Sequence, residues 1–291
     1  MKLAFKLVGA LLLLVVLIAA GAIGLGTTRF QASIGAPSHT PATSADSAGV
    51  AEGRRLVQAY ACRECHGSDL AGTDFIVGMP FMDLPAPNLT GGTFTPEQLE
   101  RAIRHGIGAD GRPLVVMPSR AFAHLSDEEI DAITSYLVSV PRQERTLIER
   151  SIGPIGRVVA ATAADKLFEY RGIDQEVAHP ASPPSAEFGA YLVQLCAFCH
   201  GPDLGGKVVE TGPAPHWAPN LTPDPATGLG QWSLDQFRTA FQGGTRPDGR
   251  SLDSQLMPWT AFGAFNERES EAMWNYLRSL APVERPVPSE F

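Results

Sequence analysis

Two short segments of this sequence place thiols and an imidazole at the same spacing. One is CRECH at residues 62–66, and the other is CAFCH at residues 196–200 in the second half of the chain. Two thiols three residues apart can reach the two vinyl groups at one edge of a porphyrin, and the following histidine then presents its imidazole to the iron. This pattern is the attachment sequence of c-type haem and predicts two covalently bound haems. The predicted thioethers are at Cys62, Cys65, Cys196 and Cys199, and the predicted proximal iron ligands are His66 and His200.

Two other chemistries use cysteines at this spacing. A redox dithiol needs neither the histidine nor a second copy of the motif. A zinc site could use all four cysteines, but a long stretch of chain separates the two pairs and each pair lacks a closing partner. Four cysteines in a chain of 291 residues are too few for a disulfide scaffold. Haem attachment is therefore the favoured interpretation of both motifs.

The sixth ligand of each iron is predicted to be a methionine. Met117 and Met257 occupy matching places in the two halves of the chain, and each is followed by a proline. Proline fixes φ and removes a donor, which suits a loop that holds a thioether against iron. A methionine packed in the core is the ordinary alternative at any single position. Among the other candidates, His105 and His124 are assigned to the surface or to loops. Met79, Met82 and Met273 are assigned to packing.

The two motifs belong to an internal repeat. After each of them the segments APNLT, DGR, MP and AF follow in the same order and at a nearly constant offset. Helical periodicity precedes each motif and returns near the end of each copy, and middle helices are predicted at 95–106 and 233–243. Ser126, followed by three acidic residues, is predicted to cap the last helix of the first copy. No segment shows sustained strand alternation, so the predicted fold class is mostly α.

An apolar run near the N-terminus, residues 7–26, carries no charged side chain. As a helix this run is about 30 Å long, which matches the hydrocarbon thickness of a bilayer. Lys2 and Lys6 precede it, so the positive-inside rule places the body of the chain outside the cytoplasm, in the periplasm of a Gram-negative source. A signal peptide cleaved near Ala22 is the alternative. Residues 27–49 are rich in small and polar residues and are predicted to form a flexible tether.

The overall charge excludes one class of partner. The formal net charge is −8, with 23 basic and 31 acidic residues, whereas non-specific binding to nucleic acid needs a basic face. Hydrophobic residues make up 44% of the chain, which is typical of a globular protein.

Both copies resemble class I cytochrome c domains, and the second copy carries more of the resemblance. Its segments GAYLV (189–193), PNLTPD (219–224), GLGQWS (228–233), MPW (257–259) and YLRSLAPV (276–283) are similar to the cytochrome subunits of membrane-bound periplasmic dehydrogenases for alcohols, aldehydes and sugar acids. Those subunits usually carry three haems and a C-terminal anchor, whereas this sequence has two motifs and an N-terminal apolar run. The resemblance implies electron transfer from a partner dehydrogenase to quinone or to an oxidase.

These observations predict an N-terminal transmembrane helix followed by two tandem class I cytochrome c domains. The predicted segments are an anchor (1–26), a tether (27–49), a first domain (50–140), a connector (141–183), a second domain (184–282) and a tail (283–291). His/Met ligation raises the reduction potential and closes the iron to other ligands, which favours electron transport over catalysis. The expected function is an electron relay between a redox partner and a respiratory or photosynthetic chain, not an enzyme. The alternatives are a dihaem peroxidase and an electron-transfer subunit of an oxidase.

Overall fold

The computed structural model of the chain describes residues 2–35, 39–175, 187–209 and 215–288. Parts of the predicted tether (36–38), connector (176–183), second domain (184–186 and 210–214) and tail (289–291) lie outside the described residues. The helices are α1 (Lys2–Gln31), α2 (Ser47–Ala59), α3 (Cys62–His66), α4 (Pro96–His105), α5 (Ser119–Phe122), α6 (Asp127–Ser139), α7 (Pro154–Thr162), α8 (Ala164–Leu167), α9 (Phe188–Leu192), α10 (Gln194–His200), α11 (Leu234–Gly243), α12 (Trp259–Phe262) and α13 (Glu267–Ser279). The prediction of a mostly helical fold is confirmed.

The chain divides into two compact units. Unit 1 comprises Met1–Thr40, Cys65–Ala123 and Pro141–Val177, and unit 2 comprises Pro41–Glu64, His124–Val140 and Ala178–Phe291. The repeat boundaries, 50–140 and 184–282, stay predictions.

The structure also contains short strands, and the sequence pattern did not predict these strands. They are β1 (Thr73–Gly78), β2 (Met82–Ala86), β3 (Ser151–Ile152), β4 (Lys207–Val209) and β5 (His216–Ala218). In unit 1 the antiparallel order is β1-β2-β3, so β1 lies at an edge, and in unit 2 β4 pairs with β5. Each hairpin follows a Cys-X-X-Cys-His helix and leads into an Ala-Pro-Asn segment.

The N-terminal helix is longer than the predicted anchor. It continues to Gln31, so the first five residues of the predicted tether are helical. The extension is stabilised by Phe30, which packs in a buried cluster with Ala160, Ala164 and Phe168 of unit 1. By length and composition this helix can cross a membrane, a property that it shares with signal sequences.

The middle and last helices begin with the same kind of cap in both halves of the chain. Thr95 caps α4 and Ser233 caps α11, each with a glutamine as the third helical residue that bonds back to the cap backbone. Ser126 caps α6 and Asn266 caps α13, each paired with a glutamate at that position. The predicted positions of the middle helices and the Ser126 cap are confirmed.

Two helix pairs in unit 2 cross in close contact at a glycine. A Cβ at Gly53 in α2 would lie 1.9 Å from the carbonyl oxygen of Ala132 in α6. A Cβ at Gly189 in α9 would lie 2.1 Å from the carbonyl oxygen of Ala272 in α13. Glycine permits both approaches because it has no side chain to hold the two backbones apart.

A polar cluster is buried beside these crossings in unit 2. The Tyr60 hydroxyl donates to Glu129 Oε1 over 2.7 Å, and the Tyr191 hydroxyl donates to Glu129 Oε2. The Arg55 guanidinium binds both carboxylate oxygens of Glu269, each over 2.9 Å. Burial is the main cause of a raised pKa at the Glu129 carboxyl and at the Tyr60 phenol. Each last-helix capping glutamate thus has a partner from a helix that precedes a cysteine motif.

Candidate haem sites

The two cysteine motifs form short helices with the same exit. His66 is the last residue of α3 and His200 the last of α10, and both imidazoles are buried. A glycine follows each of them, with φ of 83° at Gly67 and 86° at Gly201. This left-handed conformation, which favours glycine, turns the chain away from the helix immediately after the imidazole. The four cysteines of the two motifs are half-buried thiols.

Both imidazoles are oriented by a carbonyl group of the Ala-Pro-Asn segment. His66 Nδ1 lies 2.8 Å from the Pro87 oxygen, and His200 Nδ1 lies 2.7 Å from the Pro219 oxygen. Burial lowers the pKa of both imidazoles, while the carbonyl contact opposes this effect. A neutral imidazole that donates from Nδ1 leaves the lone pair of Nε2 available to a metal, which is the arrangement of a metal-bound histidine with an outer hydrogen-bond acceptor. The residues therefore fit an axially bound haem iron.

The cysteines of the second motif have the properties of structural rather than redox-active thiols. Burial raises the pKa of the Cys196 thiol to about 12, with a smaller contribution from Cys199. Burial also raises the pKa of the Cys199 thiol. Reactive thiols have a lowered pKa, so these surroundings argue against a redox dithiol. Among the residues that the structure describes, no group of three or more His, Cys, Asp or Glu side chains forms a candidate metal cluster.

Met117 and Met257 lie at the start of two turns of the same form. Pro118 has φ −79° and ψ 57°, and Pro258 has φ −76° and ψ 57°. In each case the residue after the proline donates its N–H to the methionine carbonyl, over 2.8 Å to Met117 and 2.7 Å to Met257. These values define an inverse γ-turn, and each turn lies just before a short helix. Met117 lies in the same unit as His66, and Met257 lies in the same unit as His200.

An arginine clamps the loop after each motif, a feature that the sequence analysis missed. Arg145 donates to the Gly72 carbonyl over 2.9 Å and to Asp69 over 2.8 Å. Arg285 donates to the Gly206 carbonyl over 2.8 Å and to Asp203 over 2.7 Å. The repeated dipeptide Glu-Arg at 144–145 and 284–285 was the available signal. Both arginines lie beyond the predicted domain ends at 140 and 282.

The asparagine of each Ala-Pro-Asn segment makes another contact that matches between the two halves of the chain. In each half it binds the segment that also carries the clamping arginine. Asn88 Nδ2 donates to the Gln143 carbonyl over 2.7 Å, and Asn220 Nδ2 donates to the Val283 carbonyl over 2.6 Å. Because these asparagines follow Pro87 and Pro219 directly, the contacts also fix the carbonyl groups that orient the imidazoles.

Some of the secondary assignments differ from expectation. His105 was expected at the surface or in a loop, but it is a buried residue of α4 in which Nε2 lies 3.1 Å from Glu100 and Nδ1 lies 2.7 Å from Gln175. Met79 was expected to be packed and is instead exposed, whereas Met82 and Met273 are buried as predicted. His124 packs its ring against Tyr191, with the ring centroids 5.0 Å apart.

Comparison with known proteins finds a family match for one segment of the chain. Residues 48–137 match the family model described as "Cytochrome C oxidase, cbb3-type, subunit III". This segment is a c-type cytochrome domain, which implies covalently attached haem c.

Its relatives include cytochrome subunits of dehydrogenases. The chain is 28% identical over 280 residues to "Alcohol dehydrogenase (quinone), cytochrome c subunit" of Gluconacetobacter polyoxogenes, covering 82% of this chain and 57% of that protein. It is 27% identical over 282 residues to "Fructose dehydrogenase cytochrome subunit" of Gluconobacter japonicus, covering 83% and 54%. It is 30% identical over 103 residues to "Gluconate 2-dehydrogenase cytochrome c subunit" of Pantoea cypripedii, covering 33% and 23%. The chain thus spans little more than half of the first two proteins. All three relatives are named as cytochrome subunits of dehydrogenases, which agrees with the expectation of an electron-transfer role.

Proposed function

We propose that this chain is a membrane-anchored dihaem cytochrome c that relays single electrons, with one haem in each of two tandem class I cytochrome c domains. The observation that carries the proposal is the shared geometry of His66 and His200. Each is a buried imidazole at the end of a Cys-X-X-Cys-His helix, with Nδ1 against a proline carbonyl.

The proposed axial pairs are His66 with Met117 and His200 with Met257. A bound haem supplies a one-electron iron couple. The chain's own residues hold each imidazole in one tautomer through Pro87 or Pro219 and present each thioether from a proline turn. With a histidine and a methionine both bound, each iron would have no open position for a substrate, which favours electron transfer.

The proposed location follows from α1. Two lysines precede its apolar run, so we place the N-terminus in the cytoplasm and both haem domains in the periplasm. The names of the alcohol and fructose dehydrogenase relatives support a partner dehydrogenase as the electron donor. The acceptor is a component of the respiratory chain.

Haem stoichiometry and ligand binding test this proposal. The full chain, purified from membranes in mild detergent, should contain two haems per polypeptide by its pyridine haemochrome spectrum. The reduced protein should bind no carbon monoxide. Met117→Ala and Met257→Ala should each open one iron and bind one equivalent, whereas Met273→Leu, at a buried methionine outside both turns, should bind none. One haem per chain, or carbon monoxide binding and peroxide turnover by the unmodified protein, would refute the relay.

A second candidate partner is an oxidase, and the description of the matched family favours it. Identification of the proteins that co-purify with the chain separates the two. A dehydrogenase supports the donor proposed above, whereas an oxidase, which accepts electrons, removes the support for a dehydrogenase partner and keeps the relay.

A further inference from the structure

An apolar surface in unit 1 is formed by the β1–β2 hairpin. Residues 75–82, FIVGMPFM, contain no charged side chain. Val77 is 72% exposed, Met79 55% and Phe75 42%. β1 is an edge strand, and an exposed apolar edge strand favours aggregation unless something covers it. These exposed apolar side chains indicate that another molecule covers the hairpin tip, defined here as residues 75–81.

The hairpin tip packs on the first turn of α7. The Gly153 N–H donates to the Phe81 carbonyl over 2.9 Å. A Cβ at Gly153 would lie 1.9 Å from the Pro80 oxygen, and one at Gly156 would lie 2.5 Å from the Phe81 oxygen. The tip is thus in close backbone contact with the start of α7.

Helix α7 in turn lies against the end of α1 and runs in the same direction. A Cβ at Gly26 would lie 1.8 Å from the Arg157 oxygen. Three residues further along α1, the Arg29 guanidinium donates to the carbonyls of Ala160 and Ala161, each over 2.8 Å. Along this contact the residue numbers of α1 and α7 increase in the same direction. The start of α7 therefore lies level with a part of α1 that precedes Gly26.

This register gives the depth of the hairpin tip along α1. The pairing of Gly26 with Arg157 places Gly153 level with about Ala22, four residues before the end of the apolar run. At 1.5 Å per residue that is about 6 Å on the membrane side of the boundary. Ile155, which is 51% exposed, lies at a similar level. The end of the apolar run of α1 and the exposed apolar side chains of the hairpin tip therefore lie at the same level along α1.

We propose that the hairpin tip and Ile155 insert into the interfacial layer of the bilayer beside α1. The proposal rests on the membrane anchor proposed above. Interfacial elements bury apolar side chains about 5–10 Å deep, which agrees with the depth given by the register. The outer edge of β1 excludes a deeper position because its backbone groups need water or headgroups as partners.

Two acidic residues delimit the inserting surface. Asp74 accepts from the Ile148 N–H over 2.8 Å, and Asp83 accepts from the Gly78 N–H over 2.9 Å. Asp74 lies at the base of the hairpin tip, whereas Asp83 lies opposite Val77 in the β1–β2 ladder, where its carboxylate stays hydrogen-bonded to the Gly78 N–H at the level of the lipid headgroups. The corresponding hairpin of unit 2 begins at Lys207, an exposed charge, and lacks such a run. It serves as the internal control.

Photolabelling from the lipid phase tests the insertion. The full holoprotein is reconstituted into phosphatidylethanolamine–phosphatidylglycerol vesicles that contain a lipid with a diazirine on its acyl chain. Labelled peptides are then identified by mass spectrometry. We expect label on α1, on residues 75–81 and on Ile155, at levels several-fold above those on β4 and β5.

The outcomes separate this inference from the anchor. Labelled α1 with an unlabelled hairpin tip overturns the inference and keeps the anchor, whereas unlabelled α1 overturns the anchor itself. Val77→Glu, at an exposed position, should reduce labelling of the tip several-fold while haem content and α1 labelling stay unchanged. Unchanged labelling of the tip in this variant would also overturn the inference. A tip that is unlabelled in vesicles but protected from a polar maleimide as Val77→Cys in native membranes would identify a protein occupant instead.

Discussion

Replacement of Gly53 by alanine tests the close helix crossing in unit 2. The new Cβ would lie 1.9 Å from the Ala132 oxygen, whereas an ordinary contact starts at 3.4 Å. The two helices must therefore separate by about 1.5 Å, and no side-chain rotation relieves the clash because both atoms are fixed to backbone. Overpacking of this kind costs about 3 kcal/mol at the upper end of its usual range.

Helix propensity acts in the opposite direction. Alanine is favoured over glycine in a helix by about 1 kcal/mol. The expected net change for Gly53→Ala is thus a loss of about 2 kcal/mol in the free energy of unfolding, or a fall of about 4–8 °C in Tm for a unit of this size. A loss in the free energy of unfolding would show that the backbone clash outweighs helix propensity, and a gain would show the reverse.

Chemical and thermal denaturation of the holoprotein, followed by far-ultraviolet circular dichroism and Soret absorption, measure the loss. Gly189→Ala should behave in the same way, since its Cβ would lie 2.1 Å from the Ala272 oxygen. The matched control is Gly243→Ala at the end of α11, where nothing lies within 4 Å, and it should be neutral or slightly stabilising. A Gly53→Ala protein as stable as the control would refute the reasoning.

Two further predictions concern the buried polar cluster. Arg55→Ala should lower the free energy of unfolding by about 2–4 kcal/mol because it leaves the buried Glu269 carboxylate without its cationic partner. Arg55→Lys should lose less because it keeps the charge, although not the bidentate contact. Equal losses in denaturant titrations would contradict this. At Glu129, burial raises the pKa of the folded state above the ordinary 4.5, so this group contributes stability at low pH that is lost as pH rises through the folded pKa. Glu129→Gln lacks this dependence, so the stability of the variant relative to the unmodified protein should increase as the pH rises above the ordinary 4.5 and through the raised pKa. Parallel pH profiles would exclude the assignment.

Local signals made the helices predictable and indicated the candidate site residues. Ser126, for example, caps α6 through contacts within the first turn of that helix, and Met117 and Met257 lie in short proline turns. The extension of α1 was not predictable in this way, because residues 27–31 are polar apart from Phe30, whose partners lie in the distant segment 160–168. The same applies to Arg145 and Arg285, whose partners Gly72 and Gly206 lie 73 and 79 residues earlier. β2 alternates buried and partly exposed residues over only five positions, which is too short to distinguish from a loop.

The junction between α1 and α7 determines how the anchored protein would meet a partner. Gly26, Arg29 and Phe30 join the end of α1 to the core of unit 1, so no flexible linker separates α1 from unit 1. Every copy of unit 1 would then present the same side to the bilayer at the same height. A redox partner in that membrane would find it by lateral diffusion in two dimensions, with rotation about the membrane normal as the main orientational search that is left.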